Sequence, residues 1–239
     1  MANVLIEENT MSAIGNAIRA KTKKTDLIYP ADMAEEIDGI VGGIPVEIIT
    51  RELTEYSNSE LEKIGDGAFA YFSMLTSVYF ANVKDIGRFA FSECDGLTTV
   101  NFPAATFIGN FAFRYCYGLT EVNFPAAIAI GMCAFSECDG LTTVNFPAAT
   151  FIGDYVFEND GELKTFIMRN LGAVCELVNK NAFAHTPIAS GTGYIYVPSA
   201  LIEDYKVATN WSTYATQFRA LEDYTVDGTI TGALDETKI

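Results

Sequence analysis

The sequence predicts an α+β repeat, a solenoid of 22-residue coils with a short helical module before it and a helical and hairpin cap after it. Three observations carry that reading. Ile-Gly pairs fall at Ile64-Gly65, Ile86-Gly87, Ile108-Gly109, Ile130-Gly131 and Ile152-Gly153, each 22 residues after the last. A fixed period of about 20–50 residues marks a solenoid or a propeller. Within each interval, apolar residues return at the first place (Ile), the fifth and sixth (mostly Ala-Phe), the ninth (Cys or Phe), the twelfth (Leu), the fifteenth (Val or Phe) and the seventeenth (mostly Phe). Finally, 49% hydrophobic residues beside a net charge of −16 require an interior filled from two sides.

Taken in order, residues 1–43 read as a helical attachment module and linker. Thr10 caps an amphipathic helix with Met11, Ile14, Ala17 and Ile18 on one face, Pro30 opens a second with Met33, Ile37 and Ile40, and Gly42-Gly43 is the linker. Such short helices bury little alone and must dock on something larger. Residues 44–63 supply a cap strand over the first coil, through Val46, Ile48 and Leu53, because an open end would offer its ladder to a neighbour. The solenoid spans 64–198. In each coil the run L-x-x-V-x-F matches the strand of a leucine-rich repeat, with the named side chains inward and those between outward. Glycines at the second and eleventh places punctuate the bends, where a tight turn calls for positive φ. Pro103, Pro125 and Pro147 end the strand by withholding an N–H. The fifth coil decays, with Asp160 at the cysteine place, and a sixth, irregular coil carries Ala182-Phe183 and the strand GYIYVP. In 199–239, Ser199 caps a helix, Trp211, Tyr214 and Phe218 seal the last coil, and Asp227-Gly228 turns a hairpin.

IGxxAFxxCxxLTxVxFP, repeated in phase, resembles the BspA-like leucine-rich-repeat family over about residues 61–221. The resemblance implies a leucine-rich-repeat solenoid with no catalytic residue in its motif, in a family mostly of bacterial surface and secreted proteins, with relatives in phage and prophage genes. The stretch AIGNAIRAKTKKTDLIYPADMAEEI also resembles an N-terminal module of phage and prophage tail and structural proteins.

Several function classes are disfavoured. Nucleic-acid binding needs clustered Lys and Arg, and the chain is strongly acidic. No apolar run approaches the 18 residues needed to insert in a membrane. MANVLIEENT lacks the charged lead of a secretory signal, so the expected location is the virion, after synthesis in the host cytoplasm, with the extracellular space or cell surface as the alternative. Cys94, Cys116 and Cys138 share one coil position and read as small buried hydrophobes rather than a disulfide column or a metal site. One histidine, His185, in a surface turn supports neither a Ser-His-Asp nor a Cys-His arrangement. Neither a phosphate loop nor a calcium loop is present, so no catalytic residue, metal or cofactor is expected.

The candidate recognition face is the outward side of the strands: Tyr79, Thr99, Asn101, Glu121, Asn123, Thr143, Asn145 and Thr165. Tyr71, Glu93, Tyr115 and Glu137 form a second row in the turn before the strand. Residues 91–107 and 135–151 are identical, either by recent duplication or to hold two equal patches. The expected function is a non-enzymatic virion structural protein of tail, baseplate or fibre, with a host surface protein or glycan as ligand. Other virion proteins would be partners through the N-terminal helices, with room for a homo-oligomer. The alternative is a bacterial cell-surface or secreted adhesin.

Overall fold

Two walls of parallel strands and a third wall of turns enclose a column of phenylalanine. The computed structural model describes residues 53–170, 172–226 and 229–230, so the expected helices of residues 1–43 and a strand over Val46 and Ile48 lie outside the described residues. In chain order the strands are β1 (Glu55–Asn58), β2 (Lys63–Ile64), β3 (Ser77–Phe80), β4 (Asp85–Ile86), β5 (Thr99–Asn101), β6 (Phe107–Ile108), β7 (Glu121–Asn123), β8 (Ala129–Ile130), β9 (Thr143–Asn145), β10 (Phe151–Ile152), β11 (Thr165–Ile167), β12 (Glu176–Leu177), β13 (Tyr194–Val197), β14 (Phe218–Ala220), β15 (Thr225–Val226) and β16 (Thr229–Ile230). The even strands β2 to β12 form one parallel sheet. On the other wall β1, β3 and β5 form a sheet, and β7, β9, β11, β13 and β14 form another. Partners lie one repeat apart: Lys63 opposite Asp85, Asp85 opposite Phe107, Phe107 opposite Ala129 and Ala129 opposite Phe151. Phe151 then pairs Glu176, the lengthened step of the sixth coil.

Alternation in the strands points Val and Phe inward, and the interior follows. Phe69, Phe91, Phe113 and Phe135 stack with centroids 5.1 Å apart at each step. Phe80, Phe102 and Phe124 form a second column at 5.2 and 5.7 Å. Each ring contributes about 1.5–3 kcal/mol by burial, and each well-placed aromatic pair about 0.5–1.5 kcal/mol more.

The turn wall explains the glycines differently from the expectation. Positive φ falls on the fourth place of a coil (Gly67, Phe89, Phe111, Cys133, Tyr155) and on the eighth (Tyr71, Glu93, Tyr115, Glu137, Asn159, His185). Gly96 and Gly140 are not in that region; a Cβ on either would stand 2.6 or 2.7 Å from the carbonyl oxygen of Ser73 or Tyr117 in the coil before. Their role is close approach of successive backbones. The left-handed residues serve the stacking as well: Phe89 N–H donates to the Asn110 carbonyl at 3.0 Å, and Glu93 N–H to that of Arg114 at 2.9 Å.

The ends also depart from the expected detail. Half a coil precedes Ile64, since β1 pairs β3 with Glu55 opposite Ser77. Tyr56 holds the inward Val place there, its ring 5.3 Å from Phe69 and 5.5 Å from Phe80. At the other end lie α1 (Pro187–Ser190), capped by the Thr186 hydroxyl, and α2 (Ile202–Val207). Ser199 does not cap a helix: it starts a 3₁₀ turn and donates from its N–H and hydroxyl to the Glu222 carboxylate. Trp211 closes the core, donating from Nε1 to the Cys175 carbonyl at 2.6 Å, while the Tyr214 hydroxyl donates to the Lys180 carbonyl. β15 and β16 pair antiparallel on either side of Asp227 and Gly228, which lie outside the described residues.

Candidate functional site

The outward strand residues form two rows because parallel pairing in register sets like above like. One row contains Ser77 opposite Thr99, then Glu121, Thr143, Thr165 and Tyr194. The other contains Tyr79 opposite Asn101, then Asn123, Asn145, Ile167 and Tyr196. The ladder is interrupted between β5 and β7, which belong to different sheets.

These rows are not uniformly open. Tyr79 is 44% exposed, and Thr99, Asn101 and Glu121 are exposed, while Asn123, Thr143 and Thr165 are half-buried. Asn145 is 5% exposed and Ile167 is buried beside it, which corrects the expectation that Asn145 stands at the surface. Its Nδ2 donates to Asn123 Oδ1 at 3.0 Å, and its Oδ1 is buried without a hydrogen-bond partner among the described residues. The chain beyond β14 returns over this end of the face. The Tyr224 ring packs edge-on against Tyr196 at 4.8 Å. Partial burial raises the Tyr224 pKa, Glu121 and Tyr196 add to the rise, and Arg169 opposes it.

The threonines next to the strands do structural work that their polarity alone hides. Thr98 and Thr142 each donate a hydroxyl to the carbonyl one repeat earlier, on Thr76 at 3.1 Å and on Thr120 at 3.0 Å. The cysteine column behaves similarly. Cys94, Cys116 and Cys138 are buried free thiols whose S–H groups donate to the carbonyls of Phe69, Phe91 and Phe113 at 3.0, 3.1 and 3.1 Å. Burial raises the thiol pKa of Cys116 and Cys138 well above its usual value, and that of Cys175 to about 12, which favours the protonated thiol at each. Asp160 takes the same place in the fifth coil, accepting from the Cys138 N–H at 2.8 Å; burial pushes its carboxyl well above the ordinary range.

His185 is exposed, with Nδ1 2.7 Å from Asn159 Oδ1, and Asn159 Nδ2 in turn donates to Glu137 at 2.9 Å. Among the described residues no three His, Cys, Asp or Glu side chains gather as metal ligands, and no helix is long and apolar enough to cross a membrane.

The six-fold recurrence of this coil is the deciding feature. The sequence family described as BspA type leucine rich repeat region matches residues 62–189 in six copies. The chain belongs to that family. Among solved structures it is similar to the pneumococcal vaccine antigen PcpA, at 19% identity and a TM-score of 0.54, over 70% of this chain and 40% of that one. It is also similar to a leucine-rich repeat protein from Bacteroides ovatus, at 26% identity and a TM-score of 0.50, over 62% of this chain and 40% of that one. The chain thus spans about two fifths of the length of either protein. No curated protein matches it.

One further feature of this BspA-type repeat was not picked out as a unit from the sequence. On the turn wall Phe89 and Phe111 stack face to face at 4.8 Å, with Arg88 5.9 Å from the Phe89 ring centre and Arg114 5.7 Å from that of Phe111. The outward bulk of Phe at the fourth place, with an Arg one residue before Phe89 and three after Phe111, was the available signal.

Proposed function

We propose that the protein is a non-enzymatic bacterial cell-surface or secreted BspA-type adhesin that holds a host protein or glycan on the outward strand face of its first three coils. The observation that carries this is the open strip of Tyr79, Thr99 and Asn101 on one parallel sheet and Glu121 on the first strand of the next, an aromatic ring among polar groups, while the same face is covered around Asn145 and Ile167. A rigid sheet presents such a strip with little ordering cost on binding. Membership of a family whose strands repeat in register supports an interaction role. The test is to replace Tyr79 with Ala, Asn101 with Lys and Glu121 with Lys together and to measure retention on cultured host cells. At least a tenfold loss is expected; unchanged retention removes this strip from consideration.

A second reading rests on residues 1–41 and their resemblance to phage tail modules, which makes the chain a virion component anchored through its N-terminal helices. Those residues lie outside the described ones. Deleting them separates the readings: a virion protein loses incorporation into particles, whereas the surface adhesin retains the sheet-face interaction.

A further inference from the structure

We propose that the turn wall of the second and third coils binds the carboxylate-bearing sugar units of an acidic glycan, with sugar rings along Phe89, Phe111, Tyr115 and Tyr117 and the carboxylate on Arg88 or Arg114. This site lies apart from the outward strand face and does not depend on that reading. Three observations point to it.

The first is backbone cost. Phe89, Phe111 and Tyr115 hold φ of 56°, 61° and 64°, a region that disfavours bulky side chains. The fold accepts cheaper residues at these places, since Gly67 occupies the fourth place of the first coil and Asn159 the eighth of the fifth. Burial covers these rings only in part: Phe89 is 40% exposed, Phe111 and Tyr115 are half-buried, and the neighbouring Tyr117 is 45% exposed. Tyr71, Tyr155 and His185 hold the same places in other coils, but among the described residues only here do successive coils set a stacked Phe pair beside arginines.

The second is charge. Between Asp85 and Leu163 the sequence has two cations, Arg88 and Arg114, in an acidic stretch, and both lie on this patch. Neither guanidinium forms a salt bridge with a described residue; each lies beside an aromatic ring, with Arg114 4.3 Å from the Tyr115 ring centre. Arg114 donates from Nη2 to the Tyr115 hydroxyl at 2.7 Å, and its Nε is buried without an acceptor among the described residues. Guanidinium forks match carboxylates bidentately, so Arg88 and Arg114 are the anion-binding groups of a patch that also has the carboxylates of Asp66, Asp95 and Glu137 near it.

The third discriminates between ligands. The N–H groups of Phe89, Phe91, Phe111, Phe113 and Tyr115 all donate to the next coil. These five N–H groups are therefore not available to pair a bound peptide strand. The ring faces and the guanidinium groups suit the C–H face and carboxylate of an acidic sugar.

The experiment titrates the full chain calorimetrically with hyaluronate oligosaccharides and with sialyllactose, against neutral chito-oligosaccharides and poly-glutamate. The proposal expects binding to at least one acidic sugar, weakened tenfold or more in an Arg88→Gln, Arg114→Gln variant. A Phe89→Asn, Phe111→Asn variant should also lose binding while staying folded, because the tolerance of Asn for the left-handed region offsets part of the lost ring stacking. The triple strand-face variant should bind as the parent does, so that failure of one site is told from failure of the other. Equal binding of neutral sugars, binding of poly-glutamate alone, no binding to either acidic sugar, or retention of binding in the Phe variant would each overturn it.

Discussion

Residues 91–107 and 135–151 have the same sequence and lie two coils apart, yet only their inward halves have the same surroundings. Phe91 and Phe135, Cys94 and Cys138, Leu97 and Leu141, Phe102 and Phe146, and Ala105 and Ala149 are all fully buried. Outside, Thr99 and Asn101 are exposed while Thr143 is half-buried and Asn145 buried, and Val100 is less covered than Val144. The inward environment is made by the repeat itself, so every copy reproduces it. The outward environment depends on the neighbours of each copy: Asn145 lies between Asn123 and Ile167 in an unbroken ladder, whereas the ladder is interrupted after β5 beside Asn101.

The largest test of this comparison is Phe91→Ala against Phe135→Ala. Both rings stand in one stacked column, so each truncation should cost about 3–5 kcal/mol, and the two should agree within about 0.5 kcal/mol in denaturant unfolding. Unequal losses would mean that the coils do not share one interior. Next is the same substitution with opposite outcomes. Asn101→Lys replaces an exposed side chain and should change stability by no more than about 0.5 kcal/mol. Asn145→Lys places an ammonium where 5% of the residue is exposed and should cost about 2 kcal/mol or more. Equal effects would refute the covering of the second copy.

A smaller effect is expected at the end of the cysteine column. Asp160 fills the place from which Cys138 reaches the Phe113 carbonyl, and one of its oxygens is buried without a partner among the described residues. Burial raises its folded pKa, so the folded chain keeps a proton that the unfolded chain releases above about pH 4. Its contribution is therefore most favourable below that pH and is lost as pH rises through the folded pKa. Asp160→Asn keeps the acceptor for the Cys138 N–H without the charge. Melting should rise at neutral pH and match the parent in acid; a gain of equal size at both would show that the carboxylate is not the cause.

Much of this was legible in the sequence because the repeat encodes it in single residues. The Ile-Gly beat gives the parallel pairing, and the Phe places give the two ring columns. Tyr56 and Asn58 hid the opening half-coil by replacing Val and Phe at the places that mark a strand. The glycines gave their positions but not their reason, since a short approach to the Ser73 carbonyl depends on the coil before and not on local turn preference. On the candidate face, Asn101 and Asn145 could not be told apart from identical neighbours. Their difference comes from the strands beside them, Asn123 and Ile167 on either side of Asn145 and a broken ladder beside Asn101, which the repeat itself does not encode.

The finest test concerns the threonines that flank the strands, and it separates intercoil bonding from surface polarity. If Thr98 and Thr142 were merely solvated, replacing either by Val would be nearly neutral. Each hydroxyl, however, donates to the carbonyl below, on Thr76 and on Thr120, where the backbone N–H of the same residue also donates. Losing one neutral hydrogen bond costs about 0.5–1.5 kcal/mol, and less where water takes its place. Thr98 is exposed and Thr142 half-buried. Thr142→Val should therefore cost about 1 kcal/mol and Thr98→Val about half as much, with faster amide exchange at the N–H of each changed residue. Equal costs would show that the covering of the second copy stops short of its threonines, and no cost at either would assign the intercoil bond to the backbone alone.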